Sequence, residues 1–266
     1  MDVMGVVGIV TGLAALLIGM FFKGVPFSAL NNPAAFFIIL VGTAGAVIIA
    51  TPGNEIKKTG KLFKVLFGQQ KSLSAEEVIG TLAAMAEIVR KEGILVMEKK
   101  LDELPDPFMK LGFSMALSES DVHKLGDNLY AAIDAMKLRH AANAQIFTQA
   151  GMYAPTLGVL GAVLGLIAAL SHMGDTDALG HAISAAFIAT LLGIFTGYVM
   201  WHPFANRLKQ KSKQEVFVKE LILDGVLGIV EGENPAKLKE RLMVALPASE
   251  RERMEAAEAE RKSRSK

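Results

Sequence analysis

The sequence predicts an all-α membrane protein with four transmembrane helices in two hairpins and a helical cytoplasmic domain. Three observations carry that reading. About half of the 266 residues are apolar, at 52%; they gather into four runs free of Asp, Glu, Lys and Arg; and no strand-like alternation competes with helical spacing. The runs cover residues 3–22, 33–50, 150–173 and 179–201. Each has about the length at which a helix crosses roughly 30 Å of hydrocarbon.

The first run lacks a basic leader and a small-residue cleavage site, and three more runs follow, so it reads as a span rather than a signal peptide. Together with the second run it forms transmembrane hairpin 1, residues 1–51. Residues 52–149 then form a cytoplasmic helical domain. Ser74 followed by Glu77 spells a capping box that opens a helix through about Lys91. Gly93 interrupts, the helix resumes over Ile94 to Leu104, and "LPDP" at Leu104 to Pro107 is a turn. From about Glu119, Val122, Leu125, Leu129, Ile133 and Met136 recur at helical spacing and predict one long helix leading toward the third run. The last two runs form hairpin 2, residues 150–202. The fourth continues through Pro203 into a cytoplasmic helical tail, 203–266, with a last short helix over Pro235 to Leu246 and a charged, solvated or frayed end beyond Pro247.

Orientation follows from the basic residues. Residues 23–32 hold one lysine and 174–178 none, whereas 52–150 hold 13 Lys and Arg and 203–266 hold 14. Both termini are therefore expected in the cytoplasm. The net charge of +1 says nothing about nucleic acid, because basic residues beside apolar runs orient spans first; no nucleic-acid partner is expected. With no cysteine, disulfide scaffolds, thiol nucleophiles and Cys-ligated zinc are excluded. No cluster of His, Ser and acids has catalytic spacing, so neither an enzyme nor a bound cofactor or metal is expected.

The runs themselves say what they touch. Lipid gives helices no hydrophobic reason to associate, so small residues mark contact faces. Ala185, Ala189, Gly193 and Gly197 recur every fourth position in the fourth run; Gly158, Gly161 and Gly165 line the third. Mid-span polar groups are hydroxyls, on Thr11, Thr43, Ser184, Thr190 and Thr196, with His172, His181 and His202 near span ends. Membrane threonines commonly bond the carbonyl one turn back. Pumps and transporters carry an ionisable group in the membrane, and a self-contained transporter would show more spans or a midplane site of broken helices. If this chain handles an ion, the carboxylate comes from another chain. Pro155 and Pro203 sit toward the cytoplasmic ends of the third and fourth runs, either as helix punctuation or as points where helices bend.

Four spans in two hairpins, "RKEGILVME" at Arg90 to Glu98, "APTLGVLGAVLGL" from Ala154 and "GIFTGYVMWHPFANRLKQKS" from Gly193 resemble the A subunit of the bacterial flagellar motor stator, the MotA/PomA family, over nearly the whole chain. The last two spans look more distantly like the ExbB/TolQ proteins, energisers of outer-membrane processes with three spans. The resemblance implies a multi-pass protein of the bacterial inner membrane that takes part in motility, and a homopentamer around a dimer of MotB-type B subunits whose single span supplies the ion-binding aspartate. It matches Arg90 and Glu98 to charges that engage the rotor switch protein FliG, Pro155 and Pro203 to prolines that couple ion passage to conformational change, and Thr190 to a threonine near the ion path. Ala162 stands where sodium-driven members have a second threonine, which implies protons as the coupling ion. On that basis the small face of the third span is expected against sister subunits and the B-subunit helix, with membrane lipid around the rest.

Overall fold

The structure, a computed structural model, describes residues 3–68, 73–171 and 173–264. Its principal helices are α1 (Val3–Phe22), α2 (Pro33–Ala50), α3 (Thr59–Phe67), α4 (Ala75–Glu92), α5 (Pro107–Ser118), α6 (Val122–Leu170), α7 (Thr176–Val230), α8 (Pro235–Val244) and α9 (Ala248–Arg264). Among the described residues there is no strand. The fold class is that expected, and α1, α2, α6 and α7 are each long and apolar enough to cross a membrane.

Local chemistry sets the starts of these helices. The Asn32 side chain accepts from the Ala35 N–H with Pro33 at the first helical position, and its Nδ2 donates across to the Ala185 carbonyl at 3.1 Å. At α4 the capping box is complete: the Glu77 N–H donates to Ser74 Oγ, and the Ser74 N–H to the Glu77 carboxylate. The latter bond holds the Glu77 pKa below its ordinary value.

Two local expectations need correction. The helix expected to resume over Ile94 to Leu104 is instead a 3-10 turn (Ile94–Val96), one α-turn (Met97–Lys100) and another 3-10 turn (Leu101–Glu103). Gly93, at φ +80, severs it from α4, and Leu104 is held extended before Pro105; the short stretch between cannot propagate a helix. The "LPDP" turn is also a helix start, because Asp106 accepts from the N–H groups of Phe108 and Met109 and Pro107 opens α5. The long helix expected from about Glu119 toward the third span is observed. α6 runs unbroken from Val122, where Asp121 accepts from the N–H groups of His123 and Lys124, and Pro155 stands inside it.

The chain divides into two compact units, Met1–Gln70 with Arg139–Lys211 and Lys71–Leu138 with Ser212–Lys266. α6 and α7 contribute to both. The first unit gathers the spans, and α3 belongs with them because Leu62 and Leu66 are buried with Ala144, Phe147 and Phe204. Phe147 packs edge-on to Phe63 and Phe204 and stacks on Trp201. Arg207 donates to the Leu66 carbonyl at 3.1 Å and Lys211 to those of Val65 and Gly68 at 2.6 and 2.8 Å, so two cations cap the C-terminal end of α3. The second unit buries Leu82, Met97, Phe113, Leu129, Ile222 and Val226 in one core. It is tied by Lys219 to Asp106 at 2.7 Å, with both side chains mostly buried, and by Lys137 to Glu220 at 3.1 Å, a bond that raises the Lys137 pKa. Arg253 pairs with Glu76, so part of the end expected to be a solvated tail is a docked helix.

Candidate functional site

The site is built where α6 and α7 run side by side as the second hairpin. Their contact is close enough that side chains are excluded. A Cβ placed on Gly193 would lie 2.7 Å from Gly158 Cα and 2.8 Å from the Ala154 carbonyl oxygen; one on Gly158 would lie 2.9 Å from the Ala189 carbonyl oxygen. Further along, a Cβ placed on Gly161 or Gly165 would lie 3.3 Å from the Ala189 methyl group or 3.2 Å from that of Ala186. In lipid such close backbone approach is what holds helices together. The expectation that this face of the third span meets sister subunits is therefore corrected. Gly158, Gly161 and Gly165 are covered by α7 of the same chain, and Ala154, Ala189 and Gly193 are buried in that contact. Spacing alone could not distinguish the two, since small residues admit any partner helix.

The prolines are part of this seam. Pro155 has no N–H for the Gly151 carbonyl one turn back. That carbonyl oxygen lies 2.9 Å from a Cβ placed on Gly197, and the Pro155 ring lies 2.7 Å from the same point. Gly197 belongs to a π-helical turn, Thr196–Trp201, closed by the His202 N–H donating five residues back to the Gly197 carbonyl. Pro203 follows at once. The geometry thus joins Pro155 to the wide turn that precedes Pro203, although the prolines are 48 positions apart. Wide turns and prolines are the places where a helix bends most readily. Sequence reasoning found the prolines but missed the wide turn, which has no compositional signal.

Ala162 and Thr190, each half-buried, adjoin the Gly161 and Ala189 contact and so stand at one level of the hairpin. Thr190 Oγ1 donates to the Ala186 carbonyl at 3.4 Å, and Thr196, buried, donates to the Leu192 carbonyl at 2.8 Å. Ala185 lies half-buried beside Asn32, which its carbonyl binds. Thr11, Ser184 and His181 are exposed, and the His202 ring packs over Gly151. His172 lies outside the described residues. No group of His, Asp and Glu among the described residues could hold a metal ion.

Arg90 and Glu98 belong to the second unit. Arg90 is in the last turn of α4 and Glu98 lies in the α-turn Met97–Lys100; both are exposed, and neither has a salt-bridge partner among the described residues. Met97, next to Glu98, is fully buried and anchors that end of the connection in the core.

Comparison with known proteins decides what these features belong to. A family model described as "MotA/TolQ/ExbB proton channel family" matches residues 100–221, and one described as "Motility protein A N-terminal" matches residues 6–93. Motility protein A of Bacillus subtilis is 54% identical over 251 residues, 94% of this chain and 93% of that protein. The chain belongs to the motility protein A family. As a member it is a flagellar stator subunit, a component of an ion channel rather than an enzyme. The flagellar MotAB stator complex from Bacillus subtilis contains a chain similar to this one with TM-score 0.88, covering 93% of this chain and 97% of that one. That of C. jejuni MotAB gives the same TM-score at 27% identity, over 93% and 97% of the two chains. The match to the N-terminal model spans the extra hairpin and the "RKEG" segment, which sets the family apart from three-span energisers of the outer membrane.

Proposed function

We propose that this chain assembles as a pentameric ring around a dimer of single-span B subunits in the inner membrane, with both termini in the cytoplasm, and converts proton flow into torque on the rotor. One observation carries the reading: the α6 and α7 hairpin is packed backbone to backbone, and its apolar runs, 150–173 and 179–201, hold no Asp, Glu, Lys or Arg. The group that takes up the ion therefore belongs to another chain. The naming of the similar solved complexes as MotAB supports a B subunit as its source.

In this reading a B-subunit aspartate is neutralised at the level of Ala162 and Thr190. The change in packing bends α7 at the wide turn between Gly197 and Pro203, against Pro155. α6 and α7 carry the motion toward the second unit, where Arg90 and Glu98 engage complementary charges on FliG. Magnitudes agree: one charge crossing 100 mV releases about 2.3 kcal/mol, while an exposed ion pair holds about 0.2–1 kcal/mol. One ion step therefore suffices to break and remake several such contacts.

The assembly is tested by mild-detergent capture of the tagged chain from its own membranes, with native mass determination. Five copies with two of a single-span protein bearing an aspartate support the proposal; recovery of this chain alone rejects it. Proton coupling is tested by motor speed at fixed pH and voltage. Speed independent of external sodium is expected, and speed that follows sodium would reassign the ion.

A further inference from the structure

Hydrogen bonds join the two ends of α2 to different helices. At its start, Asn32 Nδ2 donates to the Ala185 carbonyl of α7 at 3.1 Å. Just past its last residue, Thr51 Oγ1 donates to Gln149 Oε1 of α6 at 3.3 Å. Between these ties the helix is not regular. Phe37–Val41 form a π-helical turn with α-helix on either side. Such turns are rare, occur often at functional sites, and are places where a helix bends. Among the four spanning helices, α2 and α7 contain one, and α1 and α6 do not.

The turn in α2 is packed against the seam of the second hairpin. Ile39, inside the turn, is 1% exposed and clusters with Ala154 of α6 and with Ile188, Ala189 and Leu192 of α7. A Cβ placed on Gly161 would lie 3.3 Å from the Ala189 methyl group and 3.8 Å from Ile38 Cδ1, so α2, α6 and α7 meet at that point. Gly42 follows the turn, and a Cβ placed there would lie 3.1 Å from Leu157 Cδ1 of α6. The wide turn therefore stands at the level of Ala162 and Thr190, with the tie to α7 before it in the chain and the tie to α6 after it.

A helix fastened to α7 at one end and to α6 at the other must deform when those two move against each other. An unbroken ladder of internal hydrogen bonds resists bending, and a wide turn between the ties supplies the give. We infer that α2 is a strap across the seam of α6 and α7, which flexes at Phe37–Val41 and so links the position of α6 at Ala162 to that of α7 at Thr190. Asn32, Ile39 and Thr51 are its positioning residues. The inference rests on the proposed bend of α7 against Pro155.

The test is amide hydrogen exchange, read by mass spectrometry, which reports local opening segment by segment. The complex with its B subunit is prepared in lipid nanodiscs, with either the native B-subunit aspartate or asparagine in its place as the neutral form. Fragments covering Phe37–Gly42 and Thr196–His202 report the two wide turns separately. A shift in uptake between the two forms is expected at both. Asn32→Ser keeps a good helix cap but is too short to reach the Ala185 carbonyl; the shift at Phe37–Gly42 should be lost while that at Thr196–His202 remains. Thr51→Val should do the same from the other end, and native mass shows that each variant has assembled. If Thr196–His202 shifts and Phe37–Gly42 does not, α2 is a passive packing helix and the strap alone is rejected. A shift at Phe37–Gly42 that survives both variants also rejects it. If neither segment shifts, the bend of α7 falls, and the strap with it.

Discussion

At the scale of single residues, the second hairpin depends on the absence of side chains. Gly193→Leu would drive a branched side chain into the backbone of α6 at Gly158 and Ala154, where even a Cβ has less than 3 Å. Overpacking costs about 1–3 kcal/mol where neighbours can shift, and backbone shifts less readily than a side chain. The expected outcome is a sharp fall in recovery of intact complex in a pull-down, while Gly180→Leu, at a glycine with open space around it, recovers normally. Pro155→Ala and Pro203→Ala act differently. Each restores an N–H without adding bulk, so the protein should insert and assemble as before but fail to rotate tethered cells. Normal rotation would remove the prolines from the mechanism.

At the scale of elements, the second unit is held by polar ties between helices distant in sequence. Asp106 both caps α5 and neutralises Lys219, which also lies 5.8 Å from the centre of the Phe108 ring. Lys219→Met leaves a mostly buried carboxylate without its cation, a loss of about 3 kcal/mol or more. Asp106→Ala should lower the thermal midpoint of the purified complex further, because the cap is lost as well; equal midpoints would show that the cap contributes nothing. Asp224 behaves in the opposite sense. Burial raises its pKa, with Arg241 opposing and Glu220 reinforcing the shift. The folded state thus holds the proton more tightly than the unfolded chain, so ionisation of Asp224 costs stability, and the cost disappears as pH falls through the raised pKa. Asp224→Asn should raise the thermal midpoint at neutral pH, by a margin that shrinks on acidification. A margin that stays constant with pH would reject the carboxylate as its source.

At the scale of the whole molecule, the spans leave much of their apolar surface uncovered: Val159, Leu164, Ile167, Phe187 and Ile194 are all exposed within the chain. Exposed apolar side chains on helices long enough to span a membrane are available to partner helices of an oligomeric assembly. The charges proposed for the rotor belong to the second unit and have no salt-bridge partner among the described residues. Arg90→Glu is expected to reduce torque and to be partly rescued by a reversed charge on the rotor protein. If no reversal rescues it while Arg90→Ala swims normally, Arg90 is ordinary surface charge.

Much of this was legible in the sequence, for identifiable reasons. Span number follows from the length of charge-free runs, because hydrocarbon thickness sets that length. The starts of α2 and α4 follow from Asn32 with Pro33 and Ser74 with Glu77, which act within one turn. The lack of a membrane carboxylate, and hence the need for another chain, is a matter of composition. What the tertiary structure alone decided lies beyond one turn: that the glycines of α6 face α7 of the same chain, that Pro155 meets the wide turn before Pro203, that Asp106 finds Lys219, and that Asn32 and Thr51 tie the two ends of α2 to different helices. Glycine spacing shows that some helix comes close. Which partner does so depends on distances that only the folded chain sets.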